Sequence, residues 1–239
     1  MPLPQNTNTG KIILIPSFLG EDDSSIIADQ VKTAILPLTE FIVENAKTAR
    51  RYLRAVGYKK NFDTEVTIHE LDKHAKQQNC ESLFHNVLQG VDCGLISEAG
   101  NPCIADPGHE IVAYAHKRNI KVVPLVGPSS ILLALISSGF NGQQFCFHGY
   151  LPIQNPERRN KIKNLENTSR LATQIFMETP FRNLSVLDEI LNTCLDETML
   201  CIACDLTLPT EFIKTQSVKA WRQNKENFHK RYCIFLLGR

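Results

Sequence analysis

The stretch from Gly94 to Ser130 limits this chain to few folds, because it sets two strand–loop–helix units back to back. It reads GLISEAGNPCIADPG, then a helical pattern, then IKVVPLVGPSS. Each short apolar strand empties into a loop rich in Gly, Pro and small polar residues, and a helix-like pattern follows each loop. In an open parallel sheet such loops stand at the carboxyl ends of the strands, where ligands bind. Ser97, Glu98, Gly100, Asn101, Pro102, Asp106, Pro107 and Gly108 are therefore candidates for a ligand-facing edge. Glycines there let the main chain approach a ligand, and prolines hold the loops in one shape. A single loop of this kind can do no more than turn the chain; two of them, a strand apart, favour a site. No GxGxxG and no GxxxxGK[ST] occurs, so neither a dinucleotide fingerprint nor a phosphate cradle is expected.

The rest of the chain extends the alternation. Lys11–Leu19 reads as a buried first strand, apolar nearly throughout as a parallel strand covered on both faces should be. A helix capped by Asp23 or Ser24 runs to Leu36, a strand covers Glu40–Glu44, and an amphipathic helix covers Lys47–Val56. Further helices are expected over Glu81–Leu88, Glu110–Arg118 and Ser130–Ser138, with strands at Gly94–Ser97 and Lys121–Val126. Past Gly139 strands outnumber helices: Gln144–Leu151, Gln174–Glu178, Thr198–Asp205, Glu211–Thr215 and Tyr232–Leu237, with helices over Glu157–Leu165, Asn183–Thr193 and near Lys219–Arg222. The fold class is α/β. Residues 10–126 form an N-terminal domain with a mainly parallel sheet, and residues 127–239 form an α+β domain with a mixed sheet.

Composition narrows the function classes. At 239 residues, 43% hydrophobic and 21% charged, the chain has the make-up of a globular protein. Apolar runs such as Ile12–Ile15 and Ile131–Ile136 are far too short to span a bilayer, and MPLPQNTNTGK lacks the pattern of a signal peptide, so a cytoplasmic protein without a membrane partner is expected. Eight scattered cysteines fit reduced, buried thiols, and Cys201-x-x-Cys204 lies in the apolar run MLCIACDL, where core packing is the simpler reading; no metal site is expected. The net charge of +1 gives no global attraction to nucleic acid. Two local basic clusters, Lys47/Arg50/Arg51/Arg54 and Arg158/Arg159/Lys161/Lys163, read first as solvated helix faces and second as phosphate contacts.

The order of motifs carries a resemblance. A Pro16-Ser-x-x-Gly loop is followed by SEAGNPCIADPG, PLVGPSS, GYLP with Arg158-Arg159, IFMETPFR and DLTLPTE. Over roughly residues 10–239 this is similar to the tetrapyrrole methylase superfamily, and within it to the branch that methylates a cytidine ribose 2′-hydroxyl of 16S ribosomal RNA. The resemblance implies two α/β domains, a homodimer, and S-adenosylmethionine held in a cleft between the domains by a methyltransferase without the usual glycine fingerprint. Carried over by position, it assigns the cofactor to Pro16, Glu98, Ala99, Gly100, Asn101, Pro102, Gly127, Pro128, Ser129, Ser130, Leu151 and Met177. It implies ribosomal RNA or the small ribosomal subunit as partner.

Methyl transfer to a ribose oxygen asks the protein for alignment and for a proton acceptor. Glu44, Lys47 and Glu178 are the catalytic candidates, with His74 and Glu98 also within the matched segments. Each has a structural reading beside it: Glu44 and Lys47 stand three apart and can pair at a helix start, and Glu178 can pair with Arg182. Arg158, Arg159 and Arg182 suit RNA phosphate better than catalysis. The chain departs from the family pattern on the substrate side, with Glu44-Asn45-Ala46-Lys47 where relatives carry Glu-Asp-Thr-Arg, and Leu208 where they carry Lys. Those departures motivate two other readings: a methyltransferase acting on a tetrapyrrole or other small molecule, and a paralogue that binds cofactor or RNA without turnover.

Overall fold

The computed structural model describes residues 9–20, 23–71 and 79–238. They fall into two compact units that divide between Pro128 and Ser129.

The first unit is built on a five-stranded sheet: β1 (Ile12–Ile15), β2 (Glu40–Val43), β3 (Thr67–Glu70), β4 (Cys93–Ile96) and β5 (Val122–Pro124), in the order β3-β2-β4-β1-β5. Every pairing is parallel, so all five carboxyl ends lie on one edge. The sheet is wound on both faces, which the strands show residue by residue. Ile13, Ile15, Phe41, Val43 and Ile96 join one core cluster; it also holds residues of α1 (Asp29–Ile35) and α2 (Ala46–Ala55). Ile12, Ile42, Cys93 and Leu95 join a second cluster with Ile111 and Ala115 of α4 (His109–Lys117), while the short α3 (Cys80–Leu83) packs against α4. Alternation at period 2 sends neighbouring residues to opposite covers.

Several elements differ from the sequence reading, each for a local reason. β1 stops at Ile15 rather than running to Leu19, because Pro16 has no N–H and the next amide, Ser17, donates to Gly100 rather than to the ladder. The helix expected from Ser24 breaks into a 3-10 turn at Ser24–Ile26, capped by Asp23, and α1, which starts at Asp29. The helix expected over Glu81–Leu88 is α3 followed by a 3-10 turn at Val87–Gln89, a break that brings both Phe84 and Val87 into the core. β5 spans three residues of the six expected, and β3 was not anticipated.

The second unit starts with α5 (Ser130–Ser138), then β6 (Phe145–Tyr150), α6 (Glu157–Thr168), β7 (Thr173–Glu178), α7 (Asn183–Thr193), β8 (Met199–Cys204), β9 (Phe212–Ser217), α8 (Val218–Gln223) and β10 (Cys233–Gly238). Its sheet order is β6-β7-β10-β8-β9, with β6–β7 parallel and the other pairs antiparallel. One face is covered by α6, α7 and α8 around the buried Trp221, Phe176, Phe228 and Phe235; α5 packs against β8, β9 and β10. Cys201 and Cys204 are both fully buried in β8. Three residues apart on a strand, they point to opposite faces and cannot share a ligand. All eight cysteines are free thiols.

A polar chain ties α6 to the sheet. The Lys161 ammonium can only donate, so His148 Nδ1 accepts from it (3.2 Å) and Nε2–H donates to Gln174 Oε1 (2.8 Å). Gln174 Nε2 in turn donates to the Ala172 carbonyl at 2.6 Å. Burial holds the His148 pKa below its ordinary 6.5, against the hydrogen bond to Gln174, and the Lys161 charge adds to the lowering. The folded state therefore binds fewer protons than the unfolded chain between the lowered pKa and 6.5, so stability falls as pH drops through that window. Urea midpoints measured from pH 7.5 to 5 should decline more steeply for the wild type than for His148→Gln; equal slopes would contradict this assignment.

Candidate functional site

The carboxyl edge of the first sheet is held together by hydrogen bonds between its loops. Ser17 N donates to Gly100 O at 2.8 Å and Gly100 N donates back to Phe18 O at 3.2 Å, which joins the loop after β1 to the loop after β4. The Ser17 hydroxyl adds a bond to Ser97 O at 3.1 Å. Asn101 Nδ2 donates to Pro128 O at 3.0 Å, tying the same loop to the segment after β5. From the other side, Glu98 N donates to the Glu44 carboxylate (3.2 Å), and Ala46 N donates to the Glu70 carboxylate. The loops after β1, β2, β4 and β5 thus brace one another, with Glu70 joining from the end of β3. These bonds make the edge a preorganised surface rather than a set of free turns.

Two glycines set how closely these loops approach. A Cβ on Gly127 would lie 2.0 Å from Pro16 Cβ, and Gly100 has a φ of 69° with Leu19 and the Pro128 carbonyl beside it. The long loop also carries Cys103 and Ala105 at φ 70° and 62°, a left-handed region that costs a residue with a Cβ about 1–2 kcal/mol each. Strain of that size persists where the surroundings hold it, and it gathers at ligand-facing loops. Under the edge, Tyr52 of α2 donates its hydroxyl to Pro16 O at 2.6 Å and packs its ring edge-on to Phe18. Burial pushes the Tyr52 pKa up, so the phenol stays a donor. Ser17, Phe18, Thr48, Arg51, Ser97 and Glu98 are among the residues lining a small cleft at this edge.

The structure thus brings together Pro16, Glu98, Gly100, Asn101, Gly127 and Pro128, along with Glu44. Ala99 is exposed in the same loop and Pro102 is buried behind it. Lys47 is exposed in the first turn of α2. His74 lies outside the described residues. In the second unit, Ser129 caps α5 by accepting from Leu132 N, Ser130 opens that helix, and Met177 is half-buried in β7. Leu151 is 3% exposed within the core cluster, so its side chain is committed to packing.

The arginines suggested for phosphate contact each have a buried carboxylate as partner. Glu189, itself buried, binds Arg159 Nε at 2.7 Å and Asn155 Nδ2 at 2.8 Å, with Arg158 at 3.7 Å. These donors hold its carboxyl below the ordinary range. Glu178, also buried, is paired with Arg182 and accepts from Thr179 N at 2.7 Å. Sequence reasoning missed Tyr52, whose only signal was a hydroxyl on the buried face of an amphipathic helix. It also missed Asp205, a buried carboxylate that accepts from Arg231 Nε (2.7 Å), Thr210 Oγ1 and Tyr232 N.

A profile of the family Tetrapyrrole (Corrin/Porphyrin) Methylases matches residues 28–220. A Vibrio cholerae protein named Ribosomal RNA small subunit methyltransferase I is 31% identical over 180 residues, 74% of this chain and 62% of its own length. An Escherichia coli O157:H7 protein of the same name is 28% identical over 235 residues, 97% of this chain and 79% of its own. The chain thus spans about six tenths of the Vibrio relative's length. The solved structure of the methyltransferase CobJ superposes with a TM-score of 0.62 at 15% identity, covering 96% of this chain and 94% of that one. That of the cobalamin biosynthetic enzyme cobalt precorrin-4 methyltransferase, CbiF, gives 0.60 at 12% identity, covering 100% and 98%. At those identities the two structures speak for the fold alone. The doubly wound first sheet, the mixed second sheet and the family profile over most of the sequence lead to one conclusion: the chain belongs to the tetrapyrrole methylase family.

Proposed function

We propose that this protein is an S-adenosylmethionine-dependent methyltransferase acting on a ribose 2′-hydroxyl of small-subunit ribosomal RNA. The observation that carries the cofactor is the braced carboxyl edge, where Gly100 exchanges main-chain hydrogen bonds with the loop after β1 and Gly127 packs directly on the Pro16 ring. Such an edge offers flat walls and backbone donors, which a nucleoside with a carboxylate and an amino group needs. S-adenosylmethionine, when bound, supplies an already activated methyl group. The chain's own task is to align an oxygen with it and remove a proton. Glu44 stands on this edge, its carboxylate tied to Glu98 N, with Lys47 in the first turn of α2; we assign these two to handling that proton. Glu178 stays a candidate in the second unit, held by Arg182.

The substrate reading is supported by the names of the relatives that match across most of the chain. The homodimer belongs to the same proposal: Leu132 and Ile136, one turn apart on α5, are 51% and 78% exposed and offer an apolar face. So does a cytoplasmic location, which eight free thiols favour. Among the described residues no helix is long and apolar enough to cross a membrane. The decisive experiment adds purified protein and radiolabelled S-adenosylmethionine to small ribosomal subunits from a strain lacking the protein. Label should enter one RNA fragment, at a ribose oxygen that then resists alkaline cleavage. Absence of label with cofactor binding intact would overturn the substrate, and absence of cofactor binding in calorimetry would overturn the activity.

A further inference from the structure

The segment from Asn45 to Phe62 holds six cations, Lys47, Arg50, Arg51, Arg54, Lys59 and Lys60, and no anion. The chain's net charge is +1, so everything outside this segment sums to −5. The first four cations follow the i, i+3, i+4, i+7 spacing of one helical face, and all four are exposed on α2, opposite the buried Ala49, Tyr52 and Leu53. At 1.5 Å per residue the stripe runs for about 10 Å. Its first turn adjoins the cleft that Thr48, Arg51, Ser97 and Glu98 line, so it starts at the candidate site and leads away from it.

We infer that this face of α2 docks the phosphate backbone of the RNA substrate, an inference that rests on the methyltransferase reading above. The charges are arranged rather than merely abundant. Phe62 lies beneath the guanidiniums of Arg50 (5.6 Å) and Arg54 (4.1 Å), and Arg54 is fastened further by donating to the carbonyls of Tyr58 and Lys60. Arg54 therefore holds the loop after α2 against the helix, while Lys47 and Arg50 carry the outward charge. A guanidinium face set on an aromatic ring loses less freedom when it meets a phosphate. The rival basic surface on α6 is more heavily committed: Arg158 and Arg159 share the buried Glu189 carboxylate, and Lys161 donates to His148. A chain with so little net charge has no other cation-only segment of this size, and phosphate contacts set register without reading sequence.

The test uses the full-length protein and a transcript of small-subunit ribosomal RNA, with affinity measured over a series of KCl concentrations. Arg50→Glu should weaken binding by about tenfold or more at low salt and lower the slope of log K against log [KCl] by about one. Calorimetric binding of S-adenosylmethionine should be unchanged. Lys163→Glu, on exposed α6, should leave the slope where it is, and Arg50→Lys should restore most of it. An unchanged slope for Arg50→Glu, or a slope that falls for Lys163→Glu instead, overturns the inference even if the wild type methylates RNA. Arg50-dependent binding to anionic lipid vesicles, with none to the transcript, overturns it as well. Failure of the wild type to label any RNA condemns the function rather than the docking face.

Discussion

Gly127→Ala is expected to cut affinity for S-adenosylmethionine by about tenfold or more, equivalent to about 1.4 kcal/mol, together with a clear fall in thermal stability. The new methyl would sit 2.0 Å from Pro16 Cβ and 2.3 Å from Cγ, with Asn101 Oδ1 at 3.3 Å. Pro16 cannot step aside cheaply. Its carbonyl accepts from Tyr52, and the next amide is bonded to Gly100 O. Relief must come from moving the loop after β1 away from the segment after β5, which opens the edge that we assign to the cofactor. Overpacking of this kind costs about 1–3 kcal/mol. Gly10 supplies the control: a Cβ there would meet Val91 O at 2.0 Å, an equally severe clash, but at the amino end of β1. Gly10→Ala should lower the melting temperature comparably while calorimetry shows cofactor affinity nearly intact. If both variants lose affinity alike, the carboxyl edge is not the cofactor's seat and stability alone explains the loss.

What the sequence makes legible follows from how local each signal is. The loops at the carboxyl edge were readable because Gly and Pro declare themselves: Gly100, Gly108, Gly127 and Pro128 stand where the chain turns closely. α5 was read residue for residue as Ser130–Ser138, and the structure adds the Ser129 cap and the left-handed Gly139 that ends it. β3 was missed because TIHE lies at the sheet edge, with no residue buried, so it lacks the apolar run of its neighbours. The partners of the arginines on α6 were not legible for a different reason. Charge is written in the sequence but neutralisation is not: Glu189 lies 30 residues beyond Arg159, and nothing local announces that pairing. The same limit hid Asp205, whose partner Arg231 arrives 26 residues later. Pairs four residues apart, such as Glu178 and Arg182, could be anticipated because a short turn brings them together.

That pair gives the second large effect: Glu178→Leu should destabilise the second unit by about 2–4 kcal/mol, and Glu178→Leu/Arg182→Leu should recover much of the loss. The Glu178 side chain is 1% exposed and that of Arg182 is 25% exposed. Removing the carboxylate strands a largely covered guanidinium, whereas removing both leaves apolar groups of similar length. Arg182 keeps partial access to water, which places the cost at the lower end of the range for buried pairs. One feature separates this pair from a purely structural bridge. Glu178 Oε2 and Arg182 Nη1 are both buried and both lack a hydrogen-bond partner among the described residues. Buried polar atoms are rarely left so, and a bridge that existed only for stability would gain by satisfying them. Stability and methyl transfer should therefore part company in Glu178→Gln. The amide keeps the shape and the bond from Thr179 N, so the melting temperature should fall less than in Glu178→Leu, while turnover of the folded enzyme drops well beyond the fraction unfolded. A double variant that melts like the wild type and still methylates at the wild-type rate would make the pair a packing feature and remove Glu178 from the reaction.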